Sequence, residues 1–272
     1  MTIVLETRQV EKPWGRDQLM PPFVAPKGTR IGEIWFVPPT ELDDLLVKYI
    51  FTSENLSVQV HPSDQQTEAL AQGKQGKEEC WLILDAEPDA RLAIGFKQEI
   101  APDAMRKAAL DGSIEQLLRW YPVKAGDFFY IPANTVHAIG AGITLIEVQQ
   151  NSDITYRLYD YGRPRELHLD QGIAVAQGTP YDMQRLHRRI DAGASAMLVD
   201  GPYFRLEQVA NRPSAQTHAH FGDGALLVIP RIGSVRIGDV ILETGQCGLA
   251  ASIDRIDFSA SALCLVAQPI IN

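Results

Sequence analysis

Three short stretches hold residues whose types could do metal chemistry. In SVQVHP (57–62) the apolar Val58 and Val60 alternate with Ser57, Gln59 and His61. A strand has a period of two, so the three polar side chains share a face. That face either meets water or lines something that needs polar ligands. In GKEECWLILDA (76–86) Glu79 stands immediately before an apolar run, with Lys77 two residues ahead on the same face. In GDFFYIPANTVH (126–137) a Gly-Asp turn leads into an apolar strand, Pro132 ends it, and His137 follows. Taken together, Gln59, His61, Glu79 and His137 offer two imidazoles, one carboxylate and one amide oxygen. That mixed nitrogen and oxygen set suits a borderline divalent ion such as Zn2+, with positions left open for water or substrate. Taken singly each signal is weak: a histidine after a proline turn is more often a surface or satisfied core residue, and a glutamate ahead of a strand usually faces solvent. Their occurrence in order favours a site.

The elements that must position these residues are mostly strands. RIGEIWFVPP, LLVKYIFTS, CWLILDA, ARLAIGF, DFFYIPA and ITLIEVQQ are short, rich in β-branched and aromatic residues, and separated by Gly, Pro, Asn and Asp. This spacing predicts a sandwich or barrel. One segment departs from it. Met105, Ala108, Ala109, Ile114, Leu117 and Leu118 recur at helical spacing over 103–118, which predicts two short helices broken near Gly112. Ser113 and Gln116 resemble a capping box there. A further helix is expected within 167–178. After it the strand pattern returns in YFRLEQVA, ALLVIPRIGSVRIGDVILETG and SALCLVAQPII (261–271). The chain therefore reads as a β-rich unit over 1–165, a linker over 166–190 and a second β-rich unit over 191–272. The charged run RLHRRID (185–191) reads as solvated surface.

Composition narrows the partners. The chain has 272 residues and a formal net charge of −9. Such an acidic chain gains nothing from a phosphate backbone by bulk electrostatics, so nucleic acid is not an expected partner. Cys80, Cys247 and Cys264 are odd in number and widely spaced, as in a reduced, cytoplasmic chain. MTIVLETRQVEKPWG (1–15) lacks a secretory pattern, and no stretch reaches the length of a membrane span.

GDFFYIPANTVH is similar to the second motif of the cupin barrels: glycine, five residues, proline, and a histidine five further on. The cupin pattern places that histidine on the inner barrel wall, opposite an earlier histidine-bearing strand, for which QVH (59–61) is the candidate. More specifically, EKPWGRDQL (11–19), GEIW (32–35), LSVQVHPSD (56–64), GKEECWLILDA, GDFFYIPANTVHAIG (126–140) and EVQQNSDITYRLYDYGR (147–163) resemble the type I mannose-6-phosphate isomerases in their short bacterial form. The resemblance implies a mainly β fold of two tandem cupin-like jelly-roll barrels, the second degenerate, with a small helical insert. It implies one Zn2+ per chain on Gln59, His61, Glu79 and His137, and an active-site arginine at Arg157. It also implies interconversion of mannose 6-phosphate and fructose 6-phosphate.

Such an isomerisation moves a proton between C1 and C2 through an enediol. It needs stabilisation of charge on the carbonyl oxygen, a proton carrier and cations for the phosphate. Arg157 and Lys77 are the candidate cations and catalytic groups, and Ser57 could hydrogen-bond the phosphate or a hydroxyl. Glu147 has two readings of equal standing, an acid/base group or a structural carboxylate paired with Arg157 or Lys77. In the second half THAH (217–220) looks like a first cupin motif, with His218 and His220 on one strand face. GQCGLAA (245–251), however, has Ala251 where proline would stand and Ile256 where histidine would. A barrel without metal, its histidines at the surface, is expected there. The alternatives are a different sugar-phosphate isomerase or epimerase on this scaffold, or a non-catalytic sugar-binding or regulatory cupin. The second has no need of an open metal beside Lys77 and Arg157.

Overall fold

The computed structural model describes residues 3–69, 73, 75–222 and 224–270. It is mainly β, with antiparallel pairing throughout its three sheets. A seven-stranded sheet runs in the order His187–Arg189, Asp127–Ile131, Glu79–Ala86, Ile143–Gln150, Leu45–Phe51, Ile31–Phe36, Thr7–Arg16. A five-stranded sheet faces it in the order Tyr156–Tyr159, Val58–Val60, His137–Ile139, Arg91–Phe96, Leu118–Pro122. These two form the first barrel. The third sheet, of eight strands, is built around Leu226–Ile237, Ser261–Pro269, Phe204–Ala210 and Ala196–Asp200.

The central strands of the seven-stranded sheet are buried on both faces, which period-two alternation makes possible. In Leu45–Phe51 every residue is buried. Val47, Tyr49 and Phe51 pack outward against Leu227, Ile229 and Leu265 of the C-terminal sheet. Ile50 turns inward, beside Trp81, Ile83 and Leu145. The five-stranded sheet is covered the same way. Val58, Val60, Ala138 and Leu158 pack outward onto Met105, Ala108 and Val175 of the helices Pro102–Asp111 and Leu169–Val175. What remains for the alternate positions is the barrel interior, and that is where the polar residues of the candidate site sit.

The helical insert falls where its spacing predicts, as Pro102–Asp111 and Ile114–Leu117, with Gly112 closing the first helix at a φ of 80°. That left-handed conformation is one glycine adopts without a Cβ penalty. The capping box at Ser113 does not form. Its backbone is helical and its hydroxyl donates to Asp111 Oδ1 at 2.5 Å instead.

Three expectations meet a different arrangement. Residues 166–190 are not a free connection. Leu169–Val175 packs on the five-stranded sheet, and His187–Arg189 pairs with Asp127–Ile131 as the edge of the seven-stranded sheet. Ile3–Val4 pairs with Gly248–Ala250, so the start of the described chain lies in the C-terminal sheet. THAH is helical, not extended. Ser214 caps Ala215–Phe221 by accepting from Thr217 N, and Thr217 Oγ1 accepts from Ser214 N in return. Of the expected last strand, 261–271, Ser261–Pro269 is observed and residue 271 lies outside the described residues, as do residues 1 and 2 of the amino-terminal stretch.

Candidate metal centre and its cavity

Strand register brings the expected ligands together. His137 is directly opposite Gln59 between neighbouring strands. Glu79 opens the strand of the facing sheet. His61, Glu79 and His137 are fully buried, and each offers a ligand atom within 4.8 Å of the others. His61 Nε2 lies 3.5 Å from Glu79 Oε2, and His137 Nε2 lies 3.3 Å from Glu79 Oε1. Ligands about 2.0–2.2 Å from a tetrahedral ion stand roughly 3.3–3.5 Å from one another.

The imidazoles are held ready for this. His61 Nδ1 donates to Ile154 O at 2.8 Å and His137 Nδ1 donates to Thr135 O at 2.9 Å. Each backbone carbonyl fixes the proton on Nδ1 and leaves the Nε2 lone pair facing Glu79. Burial holds both histidines below their usual value, with Lys77 adding to the effect at His61. Burial pushes the Glu79 carboxyl up, but Lys77 and then His137 outweigh it and keep it below the usual range. Burial likewise pushes Lys77 down, and Glu79 and Glu147 outweigh it, so its ammonium stays charged.

Neither carboxylate oxygen of Glu79 has a hydrogen-bond partner among the described residues. Lys77 Nζ stands 2.6 Å from Oε2 as an ion pair, and 3.3 Å from His61 Nε2. Lys77 offsets the charge of this fully buried carboxylate on the Oε2 side, while Oε1, 3.3 Å from His137 Nε2, is left without a hydrogen bond. Two neutral imidazoles, this carboxylate and a nearby amide fit a borderline divalent ion. Gln59 Nε2 is 3.3 Å from His137 Nε2, and a half-turn of the amide brings its oxygen to the same place. Ser57 Oγ donates to Gln59 Oε1 at 3.3 Å.

The centre adjoins a cavity of about 300 Å3 lined by Ser57, Gln59, Lys77, Glu147 and Arg157, all of them expected from the sequence. Lys12, Glu33, Trp35, Lys48, Asp153 and Arg165 line it too, beyond that expectation. The cations are mostly spoken for. Lys12 pairs with Glu33 at 3.2 Å, Lys48 with Glu147 at 3.1 Å and Arg165 with Asp160 at 2.6 Å. Arg157 differs. Its Nη1 donates to Glu166 O at 2.7 Å, its Nε is buried without a partner, and no carboxylate pairs with it among the described residues. Burial lowers its pKa, and Arg165 adds to this.

Glu147 has neither of the partners expected for it. Its Oε2 pairs with Lys48 and its Oε1 accepts from Trp81 Nε1 at 3.0 Å. Lys48 is its cross-strand neighbour, donates to Gln149 Oε1 at 2.6 Å, and stands 4.8 Å over the ring of Trp35. The sequence does carry a signal for Lys48: a lysine at the centre of LLVKYIF can be buried only in company.

The C-terminal lobe has no comparable group. Among the described residues His61, Glu79 and His137 form the one cluster suited to a metal. His218, half exposed, pairs with Asp254 at 2.8 Å, and His220 Nδ1 stands 3.8 Å from Glu207 Oε2.

No protein-family model matches the sequence. The resemblance to mannose-6-phosphate isomerases holds among known proteins. The chain is 42% identical over 172 residues to the Bacillus subtilis protein named mannose-6-phosphate isomerase ManA; the match covers 59% of this chain and 53% of that one. The chain thus spans about half the length of the curated relatives it matches. The crystal structure of the mannose 6-phosphate isomerase from Bacillus subtilis superposes with a TM-score of 0.77 at 24% identity, over 98% of this chain and 99% of that one. A zinc-bound mannose 6-phosphate isomerase superposes at 0.73 with 13% identity, over 99% and 100%. These likenesses establish the fold: mainly β, of the cupin type, with a second barrel-like lobe.

Proposed function

We propose that the chain is a metal-dependent aldose–ketose isomerase that interconverts mannose 6-phosphate and fructose 6-phosphate. The observation that carries this reading is the buried His61, Glu79 and His137 cluster opening on a cavity in which one of two arginines, Arg157, lacks a carboxylate among the described residues. The names of the relatives point the same way. In this reading Gln59, His61, Glu79 and His137 hold one Zn2+, the ion carried by the zinc-bound isomerase of the same fold. The ion would supply Lewis-acid stabilisation of the charge that builds on the sugar's carbonyl oxygen.

The chain's own residues do the rest. Arg157 offers its planar fork to the phosphate or the developing enediolate, with Ser57 as a further donor. Glu147 is fixed by Trp81 and Lys48 and is the candidate carrier of the proton between C1 and C2. Lys77 Nζ is the candidate donor to the carbonyl oxygen as the C–H proton leaves. Its ammonium is already charged, and a cation on Glu79 would release it from its pair. The three cysteines are buried and free, which suits a reducing cytoplasm. No helix among the described residues is long and apolar enough to cross a membrane.

A coupled assay that follows fructose 6-phosphate formed from mannose 6-phosphate tests the reading. Turnover that needs the metal supports it. Turnover on another sugar phosphate but not on this one would replace the substrate and leave the reaction class in place.

A further inference from the structure

The isomerase reading leaves Arg165 without a task, although it lines the active cavity together with Arg157. Its place is set by Asp160, which is only 2% exposed. Asp160 Oδ2 accepts from Arg165 Nε and Oδ1 accepts from Arg165 Nη2, both at 2.6 Å. A two-point fork of this kind fixes the plane of a guanidinium as well as its position. The backbone between the two residues turns through left-handed Tyr161 and Gly162, at φ of 56° and 76°. The chain then returns along Arg157, whose backbone N–H donates to His168 Nδ1 at 3.2 Å.

Asp160 takes one edge of Arg165 and leaves the other. Arg165 Nη1 has no hydrogen bond among the described residues and is not buried, in a side chain that is 26% exposed. Arg157 Nη2 is free in the same sense, although its Nε is buried and its Nη1 is held by Glu166 O. Charge in this network is not balanced. Asp160 also pairs with Arg163 at 3.1 Å, so one carboxylate serves two guanidiniums, and Arg163 shares Glu54 with Arg30. Arg30, Arg157, Arg163 and Arg165 thus have only Glu54 and Asp160 as ion-pair partners among the described residues. Asp153, on the cavity wall, and Glu166 are exposed, and neither pairs with Arg157 or Arg165 among the described residues. Arg165 stands near enough to Arg157 to add to the lowering of its pKa by burial.

Two like charges held side by side are relieved by an anion that meets both. A phosphate monoester carries about −1.5 to −2 charge at pH 7 and accepts from several donors at once. A neutral sugar would gain nothing from the second guanidinium. Given the sugar-phosphate reading of this cavity, on which the assignment rests, we propose that Arg165 is the residue that selects a phosphorylated sugar. Its Nη1 donates to the phosphate beside Arg157, and Asp160 positions it to do so.

Calorimetric titration of the zinc-loaded chain with inorganic phosphate, beside steady-state kinetics on mannose 6-phosphate, tests this. Arg165→Gln should weaken phosphate and raise KM by roughly 10- to 100-fold each, the range for losing hydrogen bonds to a charged group. The loss should fall on KM rather than kcat, because the phosphate is held alike in the ground and transition states. Asp160→Asn should weaken phosphate less, and should cost nothing further in the Arg165→Gln background, since it acts through Arg165. Unchanged phosphate affinity in Arg165→Gln, no saturable phosphate binding by wild type at millimolar concentration, or a fall in kcat at constant KM would overturn the assignment of Arg165. Losses that add in the double variant would make Asp160 merely structural and overturn its positioning role. The phosphate titration needs no turnover. A chain that fails to isomerise mannose 6-phosphate, yet loses phosphate with Arg165→Gln, would keep the anion site and remove the substrate reading.

Discussion

The two lobes carry similar residue types and put them to different use. Each sets a pair of histidines and a buried glutamate close together: His61, His137 and Glu79 in one, His218, His220 and Glu207 in the other. In the first lobe the histidines stand at the ends of paired strands, Val58–Val60 and His137–Ile139, and face Glu79 across the barrel. In the second they ride on the short helix Ala215–Phe221, where His218 meets an exposed aspartate and His220 alone reaches Glu207, at 3.8 Å and without a hydrogen bond. Residue type is therefore not enough to make a metal centre. Register and a backbone acceptor on each Nδ1 make the difference, since they aim two lone pairs at one carboxylate.

The sharpest break of this contrast is removal of a ligand. His137→Ala should empty the centre and lower kcat on mannose 6-phosphate on the order of 10^3-fold or more, the several kcal/mol expected of Lewis-acid stabilisation. Metal analysis beside the coupled assay checks it, and circular dichroism should show the fold retained.

The next effect is on stability. Lys48→Met leaves Glu147 buried with Trp81 alone and should cost about 3–5 kcal/mol in urea unfolding. Adding Glu147→Gln should recover most of that loss without restoring turnover. If the single variant is as stable as wild type, the Lys48–Glu147 pair is not what holds this wall of the cavity.

Arg157→Lys replaces a fork by a point charge. It should lower kcat by roughly 10^2-fold with KM little changed, as for removal of one preorganised donor. A rise in KM alone would make Arg157 a phosphate anchor only, and a loss of bound metal would make it structural.

The pH dependence of the metal-free chain is smaller. His61 and His137 are held neutral in the fold by burial. The unfolded chain protonates both near the ordinary value of about 6.5. Their contribution to stability is thus fully present above that pH and is lost as pH falls from it toward the depressed folded values. Urea midpoints between pH 8 and pH 5 should fall in this direction. His137→Ala should flatten the slope.

Smallest of all is His218→Ala in its own right. An exposed pair such as His218 with Asp254 is worth about 0–1 kcal/mol, so metal content and rate should not move. A loss of metal in that variant would place the centre in the wrong lobe.

Much of this is legible in the amino-acid order because strands encode their faces locally. The alternation in SVQVHP and TYRLY aims Ser57, Gln59, His61 and Arg157 inward while Val58, Val60, Tyr156 and Leu158 pack outward. The cupin-like spacing around Pro132 locates His137. What stays hidden depends on distant partners. LLVKYIF marks Lys48 as a lysine in an apolar run but not which way it turns, since that depends on the C-terminal lobe packing on Val47 and Tyr49. The pairing of His187–Arg189 with Asp127–Ile131 spans about sixty residues and leaves no local trace. THAH reads as a strand by its two-residue histidine spacing, yet the reciprocal cap of Ser214 and Thr217 starts a helix there.

The most direct test of the account is a metal titration. Protein stripped by a chelator and shown to be metal-free is given Zn2+ in measured increments while mannose 6-phosphate turnover is followed. Activity should begin near zero and rise linearly to a plateau at one equivalent per chain. Full activity in the stripped sample, or a plateau at two equivalents, would contradict a single centre built from His61, Glu79 and His137.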